Sequence, residues 1–233
     1  MSTFTLASIN ICSAHFREGH YTEDNLVRLA TSIRESAADV VCLQEVDRGA
    51  ARSERVDMPA RLAEISNLKY YYFIKIRDFQ GGEYGTAVLS RYPILDSATI
   101  NYPVRIATQG TSCGYVVIDV DGVPVTVFNT HLSIENEESN TETLVCLGDI
   151  LKKHVVAGKG AFLCCGDFNT SPAKVASYIP WVSLAHNGLT TYADRSIDHI
   201  LYVSPIVTRN TRTMDTQVDG VTDHNMVLTD VTV

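Results

Sequence analysis

The stretch AFLCCGDFN, residues 161–169, runs a short apolar segment straight into Gly166, Asp167 and Asn169. Ala161 to Cys165 is too short for a stable helix and too uniformly apolar for a half-exposed strand, so it reads as a strand buried on both faces. A carboxylate that follows such a strand is drawn to the edge of a core. There it needs a partner, and a metal ion or a bound water supplies one.

Working outward, the same event recurs. Phe4 to Ile9 alternates as a strand and runs out at Asn10, and Val40 to Leu43 is closed by Gln44 and Glu45. Val123 to His131 carries Asn129 and His131 at its end. Ile197 to Val203 has Asp198 at its start, and Asp223-His224 stands before the last strand, Met226 to Val233. One polar residue at a strand end is ordinary loop chemistry. Six such events point to a site built at one edge of a rigid scaffold. Glu, Asp and Asn oxygens in that pattern suit magnesium, manganese or calcium better than zinc or copper.

Between these strands, Leu26, Leu29, Ala30, Ile33 and Ala37 fall at helical spacing after the capping residue Thr22. Asp57 caps a second helix with Pro59 in its first turn and Met58, Leu62 and Ile65 on one face. A third helix is expected from about Thr141 to Val155 on Leu144, Leu147, Leu151 and Val155, with Glu135 to Glu142 as a solvated approach. Tyr70 to Ile76, Gly85 to Ser90 and Cys113 to Val120 read as further strands, and Asp121-Gly122 as the tight turn of a hairpin. Helices are too few for a doubly wound parallel sheet. Two packed sheets with helices on their outer faces fit better.

The chain has 233 residues, 45% of them hydrophobic, and a formal charge of -8. With no repeat, linker or low-complexity segment, residues 1–233 are expected to form one domain. No block of Lys or Arg offers a basic groove for duplex, which weighs against a polynucleotide substrate without excluding nucleic acid. The six cysteines form no CxxC pair and several lie in apolar runs, which fits a reduced, cytoplasmic protein. The N-terminal segment reads as a first strand, and no apolar run is long enough to span a membrane. No HExxH, GxSxG, GxxxxGK[ST] or GxGxxG occurs, so zincin, serine-hydrolase, P-loop and Rossmann chemistry have no motif behind them.

The ordered series SIN, LQEVD, YGTAVLSRYPI, NTHL, GDFN, IDHI and TDHN, spanning residues 8 to 225, resembles the endonuclease/exonuclease/phosphatase (DNase I-like) superfamily. That resemblance implies an α/β fold, a four-layered α/β sandwich of two central mixed β-sheets flanked by helices. It further implies a magnesium- or manganese-dependent phosphoester hydrolase in which Glu45, Asn10 and Asp223 are the metal positions. Asp167 and Asn169 would orient the attacking water and hold the phosphate. His131 would contact the phosphate, and His224, oriented by Asp198, would act as base or as a cation toward the phosphoryl oxygens. Arg91, Arg55 and Asn129 are weaker substrate-side candidates. Thr86 stands where many relatives carry Asn, and His199, in place of a common aromatic, reads as packed. The expected substrate is a small soluble phosphoester. The alternatives are a nuclease acting on DNA or RNA, and a catalytically silent scaffold of the same fold. Neither a membrane partner nor a particular oligomeric state is indicated.

Overall fold

The computed structural model describes residues 1–15, 19–108, 111–217, 220 and 222–233. Two mixed six-stranded sheets pack face to face. The first has the order β11-β12-β1-β2-β4-β3, built from β1 (Thr3–Asn10), β2 (Val40–Arg48), β3 (Tyr70–Phe79), β4 (Gly82–Ser90), β11 (Val207–Met214) and β12 (Met226–Thr232). The second has the order β5-β6-β7-β8-β10-β9. Its strands are β5 (Ile94–Asn101), β6 (Ser112–Val120), β7 (Val123–His131), β8 (Phe162–Asp167), β9 (Ser183–Leu184) and β10 (Asp198–Tyr202). Helices α1 (Glu23–Glu35), α2 (Met58–Ser66), α3 (Glu137–Val156) and α4 (Pro172–Tyr178) complete the regular elements.

Strand alternation sorts the apolar side chains into three cores. Val40, Cys42, Val127, Leu163 and Cys165 meet between the sheets. Val41 and Leu43, their neighbours on β2, point the other way, onto Leu26, Leu29 and Ile33 of α1 and Leu62 of α2. Phe128, Phe162 and Cys164 face Leu144, Leu147 and Leu151 of α3. Three cores between two sheets and two helical faces make four layers, the sandwich the motif series implies. Because both faces of the central strands are covered, their sequences show runs instead of alternation.

Each sheet holds one parallel pair at its centre. β1 runs parallel to β2 with Asn10 opposite Gln44. β7 runs parallel to β8 with His131 opposite Asp167. β10 enters antiparallel to β8, so its first residue, Asp198, also lies opposite Asp167. Parallel neighbours end on the same side, which gathers Asn10, Glu45, His131, Asp167 and Asp198 at one edge. Buried amides tie the two sheets together beneath that edge. Asn129 Nδ2 donates to the carbonyls of Leu43 (3.0 Å) and Ala87 (2.8 Å), and its Oδ1 accepts from Gln44 Nε2 at 2.8 Å.

Some boundaries differ from the sequence expectation. α1 ends at Glu35 and Ala37 is left-handed. α3 starts at Glu137, not near Thr141, because Asn136 and Ser139 form a reciprocal capping box and Glu137 and Glu138 face the positive end of the helix. The approach to it is not merely solvated: Glu142 accepts the backbone N–H groups of Arg105, Ile106 and Ala107, and Glu135 that of Thr108. β5, β9, β11 and α4 have no counterpart among the elements expected from pattern. Among the described residues, no helix is long and apolar enough to cross a membrane.

Candidate active site

At the shared edge, Asn10, Glu45, His131, Asp167, Asn169, Asp223 and His224 line one cavity of about 250 Å³. Their backbone is unusual where the side chains must turn inward. β2 slips register between Leu43 and Val46, and Glu45 adopts φ 55 inside that bulge. A bulge re-aims one side chain without ending the strand. Ser13 Oγ donates to the Glu45 carbonyl at 2.9 Å, and Arg52 Nη2 donates to Ser13 Oγ at 2.8 Å. Arg52 also holds the buried Asp47 through Nε and Nη2, with Ser53 Oγ adding a further bond to that carboxylate. The bulge thus rests on a closed polar network.

Gly166 precedes Asp167 because β7 passes too close for a side chain. A Cβ there would sit 2.2 Å from the Thr130 carbonyl oxygen. Asp167 continues into Phe168 and left-handed Asn169, whose N–H donates to Asp167 Oδ1 at 2.8 Å and whose Nδ2 donates to the Leu132 carbonyl at 3.0 Å. Asn140 on α3 donates to the carbonyls of Ser133 and Phe168, fixing the loops after β7 and β8 to each other.

The carboxylates meet through one amide. Asn10 Nδ2 donates to Glu45 Oε1 at 3.0 Å and to Asp167 Oδ2 at 3.1 Å, joining the first sheet to the second. Two imidazoles flank Asp167: its Oδ2 lies 3.6 Å from His131 Nε2 and 3.8 Å from His224 Nε2. Burial raises the Asp167 carboxyl to about 6, the Asp198 charge adding to the rise and the two histidines opposing it. Burial alone would lower His224, yet its hydrogen bond to Asp198 and the charges of Asp198, Asp167 and Asp223 raise it to about 9. At neutral pH the pair is set as a carboxylate able to take a proton beside an imidazolium able to give one.

Ligand atoms of Asp167, Asp198 and His224 all lie within 4.8 Å of one another. Within this group His224 Nδ1 lies 2.9 Å from Asp198 Oδ2, so two of the three members already form a hydrogen-bonded pair. The oxygens that suit a hard cation are those of Glu45, Asp223 and Asn10 on the same cavity. They fit such an ion on charge grounds. Glu45, Asp167 and Asp223 share one wall, and the neutral Asn10 amide donates to both Glu45 and Asp167.

Three sequence candidates lie elsewhere. Asn129 is the inter-sheet tie already described. Arg91 pairs with Asp39 at 2.9 Å beside the start of β2, the opposite end of that strand from Glu45. Arg55 donates to the carbonyls of Gly49 and Gln80 in an exposed loop. Asp57 caps α2 by accepting the Ala60 N–H, and His199 is packed, its ring against Phe168 and His186 and its Nε2 on the Thr170 carbonyl.

The cavity also contains Cys12, Tyr192 and Arg195, which no sequence motif marks. Cys12 donates its thiol proton to Asp223 Oδ1 at 3.0 Å. Tyr192 lies over His224 with ring centroids 4.8 Å apart, and the Arg195 guanidinium lies 4.9 Å from the Tyr192 ring centre. The one available signal was proximity in sequence, Arg195 standing three residues before Asp198.

Comparison with solved structures places this architecture among known ones. An endonuclease/exonuclease/phosphatase from Beutenbergia cavernae is 22% identical with a TM-score of 0.82, covering 100% of this chain and 72% of its own. A mannosyl-6-phosphatase from Bacteroides thetaiotaomicron is 13% identical, with a TM-score of 0.74 and coverage of 99% and 100%. The human Nocturnin catalytic domain is 18% identical, with a TM-score of 0.76 and coverage of 99% and 94%. At these identities the likeness is one of fold. No curated protein sequence matches significantly. The model of the Endonuclease/Exonuclease/phosphatase family matches residues 7–224, nearly the whole chain, and the protein belongs to that family.

Proposed function

We propose that this chain is a divalent-cation-dependent phosphoester hydrolase acting on a small phosphoester by in-line attack of water. The observation that carries the proposal is the Asn10 bridge. One amide holds Glu45 Oε1 and Asp167 Oδ2 together, and His131 and His224 approach that same Asp167 oxygen. A structural role alone does not require three carboxylates and two imidazoles to converge on one cavity, since buried charge without a ligand is costly.

Within that cavity Asp167 accepts a proton from the attacking water. Its carboxyl, raised to about 6 by burial, is ionised at neutral pH and basic enough to do so. The Asn169 N–H holds the other Asp167 oxygen and fixes the direction of attack. His224, kept as imidazolium by Asp198, and His131 face the phosphoryl oxygens and stabilise the charge that builds there. Glu45, Asp223 and Asn10 would hold magnesium or manganese, which supplies Lewis-acid polarisation and stabilises the leaving oxygen. The acidic chain, with no block of Lys or Arg, favours a small substrate over a long polynucleotide.

Turnover of p-nitrophenyl phosphate and bis(p-nitrophenyl) phosphate with magnesium or manganese tests this. Wild-type protein should hydrolyse at least one ester in a cation-dependent manner, and Asp167→Asn should lose at least about a hundredfold in kcat, the scale of a general base. Undiminished turnover in Asp167→Asn would remove the assignment.

A further inference from the structure

Arg195 lies on the wall of the candidate active cavity, on the Tyr192–His224 side, while Arg77 lines an adjoining pocket that shares Glu45, His131 and Ile134 with it. Three other arginines near the sheets are held by carboxylates. Arg52 is paired with Asp47, Arg48 with Glu83 and Arg91 with Asp39. No ion pair of Arg195 exists among the described residues; its guanidinium rests on the Tyr192 ring and is otherwise open to solvent.

An exposed arginine is ordinarily mobile, but the backbone that presents this one is locked to the chemistry. Arg195 N–H donates to the Tyr192 carbonyl, and the Arg195 carbonyl accepts from Thr191 and Tyr192, closing a tight turn. Thr191 Oγ1 accepts the N–H groups of Ile197 and Asp198, and the Thr191 carbonyl accepts that of Asn225. Tyr192 bridges to His224 through the backbone, and its ring packs at a tilt against the imidazole. The turn is thereby fastened to Asp198 on one side and to His224 on the other, which fixes the reach of Arg195 relative to the imidazolium.

We infer that Arg195 selects the substrate, taking the outermost non-bridging oxygen of a terminal, doubly charged phosphate and so favouring phosphomonoesters over phosphodiesters. This rests on the hydrolase reading above. The inner oxygens of a phosphate seated in the cavity face His131 and His224. The oxygen left at the rim is a charged acceptor in a monoester and carries an ester chain in a diester. A planar cationic fork at that position rewards the first and gains little from the second. Above the second phosphate pKa, about 6, the monoester also carries twice the charge.

Arg195→Met and Arg195→Lys test the inference, and the exposure of the side chain makes both compatible with folding. For p-nitrophenyl phosphate at pH 8, Arg195→Met should raise KM about tenfold, the effect of one charge-assisted contact with an exposed partner, with kcat within about twofold. For bis(p-nitrophenyl) phosphate the KM should rise less than about threefold, and Arg195→Lys should recover part of the monoester loss. Calorimetric titration with inorganic phosphate and with dimethyl phosphate reads the same selectivity without turnover: Arg195→Met should weaken the first about tenfold and leave the second nearly unchanged. Equal changes for both anions, or none, would overturn the role of Arg195. The hydrolase reading fails by a different result, turnover that survives Asp167→Asn, so the two failures are distinguishable.

Discussion

His224 Nδ1 lies 2.9 Å from Asp198 Oδ2, and the two side chains are 5% and 0% exposed. The contact fixes which ring nitrogen faces the cavity. Nδ1 is committed to Asp198, leaving Nε2 at 3.8 Å from both Asp167 and Asp223. A buried imidazole is ordinarily neutral, and here a buried carboxylate reverses that preference. The pair therefore delivers a positive charge into a cavity dominated by acids, and its chemistry depends on Asp198 being charged.

Asp198→Asn should lower the His224 pKa from about 9, because the opposing effect of burial then prevails. Activity that needs the imidazolium is full below this pKa and lost as pH rises through it. The alkaline limb of the kcat/KM profile should accordingly move to lower pH in the variant, with reduced activity at pH 8. A profile measured between about pH 6 and 10 checks this, and an unmoved alkaline limb would contradict it.

Stability should fall on the acid side through His199. Burial lowers its pKa from 6.5 to about 4, so the folded ring stays neutral while the unfolded ring takes up a proton. The associated stability is complete above pH 6.5 and is lost progressively as pH falls toward about 4. At about 1.4 kcal/mol per unit the loss is on the order of 3 kcal/mol. Urea unfolding of wild type and His199→Phe at pH 7.5 and 4.5 should show a smaller difference between the two conditions in the variant.

Asn129 carries structure, not substrate. Asn129→Leu takes the amide donor away from the Leu43 and Ala87 carbonyls and leaves Gln44 Nε2 only its bond to Ser8 Oγ. Leaving buried polar groups unpaired costs about 1–3 kcal/mol each, so a loss of at least about 2 kcal/mol is expected. The urea midpoint should drop accordingly, whereas a variant as stable as wild type would show that the tie contributes nothing.

The features most legible in the sequence were those that depend on strand ends. Glu45, Asp167, Asp198 and His224 each sit at the boundary of an apolar run, and parallel pairing brings such boundaries to one side. Asn129 reads as a site residue from sequence for a related reason. β7 is buried on both faces from Val125 to Thr130, so alternation carries no sign of which face a residue takes. β5 and β11 are polar and lie toward the sheet edges, where packing imposes little pattern. The acidic approach to α3 looked solvated because its carboxylates bind backbone N–H groups distant in sequence. Arg195, Tyr192 and Cys12 enter the cavity through loops, whose course is set by tertiary contacts and leaves no periodic trace.

The central claim is that Glu45, aimed inward by its bulge, supports cation-dependent hydrolysis at this cavity. The most direct test is magnesium-dependent turnover of a simple phosphoester by Glu45→Gln, a substitution that keeps size and the bond to Asn10 while removing the charge. Glu45→Gln should lose at least about a hundredfold at saturating ester, with the requirement for magnesium shifted to much higher concentration. Wild-type turnover at wild-type magnesium concentration would contradict it.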